Sequence, residues 1–295
     1  MDFYTRSDLA CESVAREPEV TEGTEWREDR VGDFHVSELC ILHQKAAERI
    51  GKPKGSYVTV ECGRIHLLGE EGAELLMRLL AGRLIGMTRK LTGKPLDSDF
   101  KIFVVGLGNA EMTADAIGPR TVGYLTATRH LQEHETELYH SIGCSSLSLL
   151  APGVLGQTGI ETLELLRGAV AYVKPDLVLA VDALAARSCD RLASTIQISD
   201  TGISPGSGVG NHRAPITQAE LGVPVIAMGV PTVVNSATLV YDALRQAGIE
   251  EIGAPLRDVL ENRKSFFVSP KDSDVITERV ARLLADAIRD AFTGI

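Results

Sequence analysis

LVLAVDALAARS, residues 177–188, decides how this chain is read. Its apolar run, Leu177 to Val181, is short enough for a fully buried strand and stops at a carboxylate, Asp182. A second run, Lys101 to Val105, opens into GLGNAEMTADAIGP, residues 106–119, which carries Asp115. In open α/β sheets, ligands and catalytic groups gather beyond the carboxyl ends of parallel strands. Two carboxylates placed there form a candidate acid/base pair, because neighbouring acids drive each other's pKa values apart. Taken alone, each reads equally well as a helix cap: Asp115 ahead of Ala-Ile-Gly-Pro, Asp182 ahead of a helix through Ala183–Ala186.

Outward from these loops, strand and helix patterns alternate. Upstream, the patterning predicts a strand at His35–Leu42, a short helix ending near Gly51 and a strand at Tyr57–Gly63. Leu75, Leu76, Leu79, Leu80, Leu84 and Ile85 recur at helical spacing and predict an amphipathic helix over Glu71–Leu91. Downstream come a helix from about Arg120 to His130, a helix over Ile160–Val173, and strands at Thr195–Ser199 and Val223–Val230. Helices at Ser236–Gly248 and Asp274–Phe292 follow. This alternation predicts an α/β protein with a mixed, largely parallel sheet covered on both faces, a three-layer sandwich. Residues 1–33 are polar and rich in acids, from Glu17 to Asp29, and read as an extended, loosely held arm. Residues 34–295 then form a single domain.

With 295 residues, 44% hydrophobic and 24% charged, the composition is that of a globular protein with a sizeable core. The formal net charge of −10 argues against a nucleic-acid partner. The five cysteines (Cys11, Cys40, Cys62, Cys144 and Cys189) are odd in number and have no C-x-x-C spacing. That usage fits a reducing compartment and predicts neither a disulfide scaffold nor a structural zinc. MDFYTRSDLACES lacks the basic start and apolar run of a signal peptide, and no stretch reaches the roughly 20 apolar residues of a membrane span. The expectation is a cytoplasmic protein with no cofactor, no metal and no membrane partner.

Three further motifs bear on chemistry. GLGN, after the first core strand, is a tight turn whose Gly106, Gly108 and Asn109 N–H groups can approach a substrate or an oxyanion. It lacks the third glycine and the downstream acid of a dinucleotide fingerprint. TGISPGSGVGN, residues 201–211, has glycines at 202, 206, 208 and 210 but no phosphate-loop ending, and reads as the wall of a peptide groove or a subunit contact. Ser207 within it has no G-x-S-x-G context. Arg187 and Arg191, one helical turn apart, can pair with the two acids or bind a substrate carboxylate, and His212 reads as a surface histidine.

At these residues the chain resembles the germination protease (spore protease) family. The segments that carry the resemblance are GLGNAEMTADAIGPRTV (106–122), APGVLGQTGIET (151–162), KPDLVLAVDALAARS (174–188), TIQISDTGISPGSGVGNHR (195–213) and GVPVIAMGVPTVV (222–234). The likeness spans about residues 4–292. It implies a fold similar to hydrogenase maturation endopeptidases and an atypical aspartic endopeptidase that begins the breakdown of small acid-soluble spore proteins at germination. The essential aspartates of the family fall on Asp115 and Asp182, and Gly208 and Arg187 join the substrate-binding candidates. The family is made as a self-processing zymogen that assembles into a homotetramer in the spore core. SDLACE, Ser7–Glu12, resembles its cleavage pattern of an acid, a large apolar residue, alanine, a small residue and glutamate. The implied cut lies between Asp8 and Leu9, making residues 1–8 a propeptide and residues 9–33 the remaining arm. Asn235 stands where some relatives carry an acid and receives no catalytic role.

The resulting expectation is hydrolysis by a water polarised between Asp115 and Asp182, one protonated and one acting as base. Two alternatives use the same residues: a metal-assisted peptidase held by the aspartates, and a non-catalytic module binding a peptide or anion in the glycine loops.

Overall fold

The apolar runs pair into one mixed sheet. The structure is a computed structural model that describes residues 7–14, 22–210, 213–249, 252–262 and 266–293; His212 lies outside the described residues. The strands are β1 (Thr24–Val31), β2 (Phe34–Ile41), β3 (Gly55–Glu61), β4 (Lys101–Gly106), β5 (Ser146–Leu150), β6 (Leu177–Ala186), β7 (Thr195–Ser199), β8 (Val225–Asn235) and β9 (Phe267–Val268). Their order is β1-β2-β3-β7-β8-β6-β4-β5, with β9 on β8. The strands β8, β6, β4 and β5 run parallel to their neighbours in this group, and the β1, β2, β3 and β7 side is joined antiparallel.

Alternation along β4 shows why the sheet is covered twice. Ile102 and Val104 point to one face, where they meet Leu76, Leu80 and Leu84 of helix Glu70–Thr92 and Val280, Leu284 and Ile288 of helix Ser273–Phe292. Phe103 and Val105 point to the other, against Leu163, Leu166 and Val170 of helix Thr162–Val173. A strand whose successive side chains all find apolar partners belongs in the middle of three layers.

Three features depart from the sequence expectations. The strand containing Asp182 does not stop there: β6 continues to Ala186, paired with β8 from Asp182↔Gly229 to Ala186↔Val234. No helix follows Asp182, because the β8 ladder takes up the backbone that a helix would need. The single helix expected over residues 120–130 is instead a short helix, Ile117–Gly123, with Arg129–His134 and Thr136–Ile142 separate. The polar opening is also ordered in part. Thr24–Val31 pairs with β2 over its whole length as the edge strand, and its five charged residues suit an edge that faces water. Ahead of it, Leu9, Ala10 and Cys11 are buried at 0%, 0% and 6% exposure.

Candidate active site

The two aspartates meet because β4 and β6 are neighbours. Gly106 pairs with Val181, and Leu107 N–H donates to the Val181 carbonyl at 2.8 Å, so the β4 loop leaves the sheet beside Asp182. The loop then folds back on itself. A Cβ at Gly108, whose φ is +110°, would lie 2.1 Å from the Asp115 carbonyl oxygen. Asn109 N–H donates to Asp115 Oδ2 at 2.7 Å, and the short 3-10 turn Thr113–Asp115 leads into helix Ile117–Gly123. Asp115 and Asp182 line one cavity of about 470 Å³ together with Asp8.

Burial separates their chemistry. Asp182 is 5% exposed, and its one recorded hydrogen bond is from Ala183 N–H at 2.9 Å. Its pKa is held well above the usual carboxylate range, first by desolvation, then by the charges of Asp115 and Asp8. Asp115 is half-buried; desolvation also raises its pKa, while the Asn109 N–H pulls it down. The more deeply buried Asp182 is thus held further toward its protonated form than Asp115.

A peptide already lies at this site. Beyond Gly106, β4 no longer covers β6, and Asp8 of the N-terminal segment docks on β6 there. Asp8 N–H donates to the Ala185 carbonyl at 2.9 Å, and Ala185 N–H returns a bond to Asp8 Oδ2 at 2.9 Å. Ser207 donates its hydroxyl to Asp8 Oδ1 at 2.6 Å. Gly208 is bare for a reason, since a Cβ there would lie 2.4 Å from Asp8 Oδ2. Leu9 fills an apolar pocket with Leu184, Ala186 and Val234. At the far end, the Glu12 carboxylate accepts the N–H groups of Arg187 at 2.8 Å and Ser188 at 3.0 Å, the Ser7 hydroxyl and, at 3.4 Å, the Arg191 side chain. The segment is held by one main-chain bond at Asp8 and by side-chain contacts at Asp8, Leu9 and Glu12, and it turns into a short helix, Ala10–Val14.

The candidates from the sequence divide accordingly. Gly208 meets the Asp8 carboxylate, and Arg187 contributes its N–H to Glu12. Arg191 pairs with Glu12 and Glu61, neither of them a member of the dyad. Asn109 has its N–H committed to Asp115, which removes it as an oxyanion donor. Gly106 packs under helix Ile117–Gly123, where a Cβ would sit 2.2 Å from the Gly118 carbonyl oxygen, so it is a close-approach position. Asn235 caps the following helix by accepting Ala237 N–H at 2.8 Å. The sequence reading missed Lys52 and Gln197, which touch the docked segment. Gln197 did leave a signal: it is the polar residue in the middle of the buried run TIQIS, where such a group needs a partner. Lys52 left none.

An α/β sheet with two carboxylates in one cleft, and a segment of the chain docked beside them, is an arrangement suited to a peptidase. The sequence profile of the germination protease family matches residues 6–259, and the chain belongs to that family. It is similar to the germination protease of Clostridium acetobutylicum, at 38% identity over 97% of this chain and 94% of that protein. It is likewise similar to the germination proteases of Caldanaerobacter subterraneus (38% identity; 96% and 92% covered) and Priestia megaterium (43%; 90% and 74% covered). The chain is an endopeptidase of spore germination. No helix among the described residues is long and apolar enough to cross a membrane.

Proposed function

We propose that this endopeptidase hydrolyses peptide bonds with a water held between Asp115 and Asp182, and that its own chain, at Asp8–Leu9, is its first substrate. The observation that carries the reading is the docking of Ser7–Glu12 against the end of β6, with Asp8 in the cavity that the two aspartates line. Asp115 takes a proton from water, whose oxygen attacks the scissile carbonyl carbon. Asp182 supplies its proton as the carbon–nitrogen bond breaks and the amine of Leu9 leaves. The metal-assisted alternative has less support, since no group of three His, Cys, Asp or Glu among the described residues is placed to hold an ion.

The same pockets suit small acid-soluble spore proteins that carry an acid, a large apolar residue, alanine, a small residue and glutamate in that order. In this reading the full chain is a zymogen, blocked until residues 1–8 are removed, and it works as a homotetramer in the cytoplasm of the forespore. Processing should respond to pH, because Asp8 brings a third carboxylate to a pair that already resists full ionisation. Mass spectrometry of the full chain held at neutral and at mildly acidic pH tests this. The expected result is a new N-terminus at Leu9 that appears faster at the lower pH and is absent from Asp115→Asn and Asp182→Asn. Equal processing in either variant removes that aspartate from the chemistry.

A further inference from the structure

The docked segment touches more than the dyad. Asp8 lines a second cavity, of about 420 Å³, together with Lys52 and Gln197, which hold its main-chain carbonyl. Lys52 Nζ donates to the Asp8 carbonyl oxygen at 2.9 Å, and Gln197 Nε2 donates to the same oxygen at 3.2 Å. Lys52 Nζ also reaches the Ser7 carbonyl at 2.9 Å. Gln197 spans the Asp8–Leu9 bond: while its amide nitrogen holds the Asp8 carbonyl, its Oε1 accepts Ala10 N–H at 2.7 Å.

The sheet register explains how these groups oppose the dyad. Gly229 of β8 pairs with Asp182 on one side and with Gln197 of β7 on the other, so the three occupy one row across three strands. Residues in one row project from the same face, and two inter-strand steps separate the outer pair by about 10 Å. The middle of that row is occupied by a neighbour: a Cβ on Gly229 would lie 2.6 Å from Leu184 Cγ, so the Leu184 side chain sits over Gly229, and it lines both cavities. Lys52 arrives from outside the sheet, placed by the left-handed Gly51 that ends helix Gln44–Ile50.

We propose that Lys52 and Gln197 are catalytic residues of this peptidase, the two donors that hold the carbonyl oxygen of the residue before the cut and stabilise it as an oxyanion. The proposal rests on Asp8–Leu9 being the bond that is cut. Water attacks the carbonyl carbon, one proton passing to the Asp115 carboxylate. The carbonyl π electrons move onto oxygen, where a cation and an amide N–H already point. Collapse of that oxyanion expels the Leu9 nitrogen, which takes the Asp182 proton, and leaves a carboxyl on Asp8. Donors fixed before charge develops need no reorganisation when it does, which is how oxyanion sites accelerate acyl transfer. Burial lowers the Lys52 pKa below its ordinary value, and the Asp8 and Glu12 carboxylates offset only part of that.

The test uses the chain after removal of residues 1–8, each variant being processed in trans by wild type, and a synthetic peptide, TRSDLACESV, copied from Thr5–Val14. Lys52→Met and Gln197→Leu should each lower kcat on the order of 100-fold with a much smaller change in KM, and Lys52→Arg should recover part of the loss. A second peptide carries a thioamide in place of the Asp–Leu carbonyl, whose sulfur accepts hydrogen bonds poorly. Wild type should slow on thioamide substitution by about the factor lost in Lys52→Met, and the variant should slow little further, because the two changes remove one interaction. A wild type insensitive to the thioamide overturns the proposal without any variant having to fold. So does a rise in KM alone, which would make both residues anchors for the arm. Cleavage of the peptide at another bond overturns the reading of the cut site and the proposal with it. Cleavage at Asp–Leu with unchanged kcat in both variants overturns only the proposal.

Discussion

Gly118→Ala measures how tightly the catalytic loop is set against the sheet. A Cβ at Gly118 would lie 2.3 Å from the Leu107 carbonyl oxygen, 2.4 Å from that of Val181 and 2.6 Å from Leu107 N. All three are backbone atoms at the strand ends, so none can swing away as a side chain can. Ordinary contact, at 3.4 Å, needs a displacement of about 0.8–1.1 Å of helix Ile117–Gly123 or of the strands. Overpacking of this kind costs about 1–3 kcal/mol. The shift falls three residues from Asp115 and one from Asp182, and a misplacement of about 1 Å costs on the order of 100-fold in rate. Gly123→Ala is the matched control: it lies in the same helix, and a Cβ there meets nothing within 4 Å. Urea unfolding gives the stability, as a lower midpoint with an unchanged slope, and cleavage of TRSDLACESV gives the rate. The expected outcome is a folded, weakened Gly118→Ala protein with little peptidase activity beside an unaffected Gly123→Ala. Full activity and an unchanged midpoint in Gly118→Ala would refute the claim that helix and strand ends meet this closely.

Two further outcomes follow from the site. Asp182 has a folded-state pKa above its ordinary value, so between those two values the folded chain binds more protons than the unfolded one and stability falls as pH rises. Asp182→Asn should therefore be more stable than wild type at neutral pH, with the difference vanishing below the ordinary carboxylate range; a gap that instead widens toward acid is the wrong sign for a buried, repelled carboxylate. Glu12 accepts two backbone N–H groups and pairs with Arg191, contacts that do not reach the scissile bond. Replacing the Glu12 equivalent of TRSDLACESV by glutamine should raise KM about 10-fold or more, as expected for loss of charge-assisted bonds, and leave kcat nearly unchanged. A drop in kcat alone would place Glu12 in the chemistry.

The architecture was legible where one periodicity dominated. The runs at 101–105 and 177–181 are apolar on both faces, and the spacing in 71–91 admits only a helix, so these elements appear where patterning puts them. The two aspartates were legible as residues following such runs. The extension of β6 through Asp182 was not, because Ala183–Ala186 suits a helix better than a strand; β8 overrides that local preference with a ladder of five more residue pairs. The N-terminal segment was misjudged for a related reason. Composition describes what residues 7–12 can bury among themselves, which is little, whereas Leu9 and Ala10 are buried against β2, β6 and β8, elements far away in sequence.

That segment also explains why β6 outruns its neighbour. A strand ending level with β4 would leave Asp182 at the margin of the sheet with no adjoining edge. By running on to Ala186, β6 offers unpaired N–H and C=O groups immediately beyond the dyad, and Ala185 spends both of its own on Asp8. An exposed edge is ordinarily a hazard for a β protein, because any extended chain can add to it. Here the surroundings restrict what can add. The Asp8 pocket, with a hydroxyl, an N–H and a glycine, takes a short acid; the apolar recess takes Leu9; and the N–H pair at Arg187 and Ser188 takes a carboxylate four residues from Asp8. A single main-chain bond, Asp8 N–H to the Ala185 carbonyl, joins the segment to β6, so discrimination rests on these pockets. A chain lacking either acid leaves buried donors without partners, a penalty of about 1–3 kcal/mol for each neutral group. The segment is thus held residue by residue, at Asp8, Leu9 and Glu12, beside the cavity that Asp115 and Asp182 line.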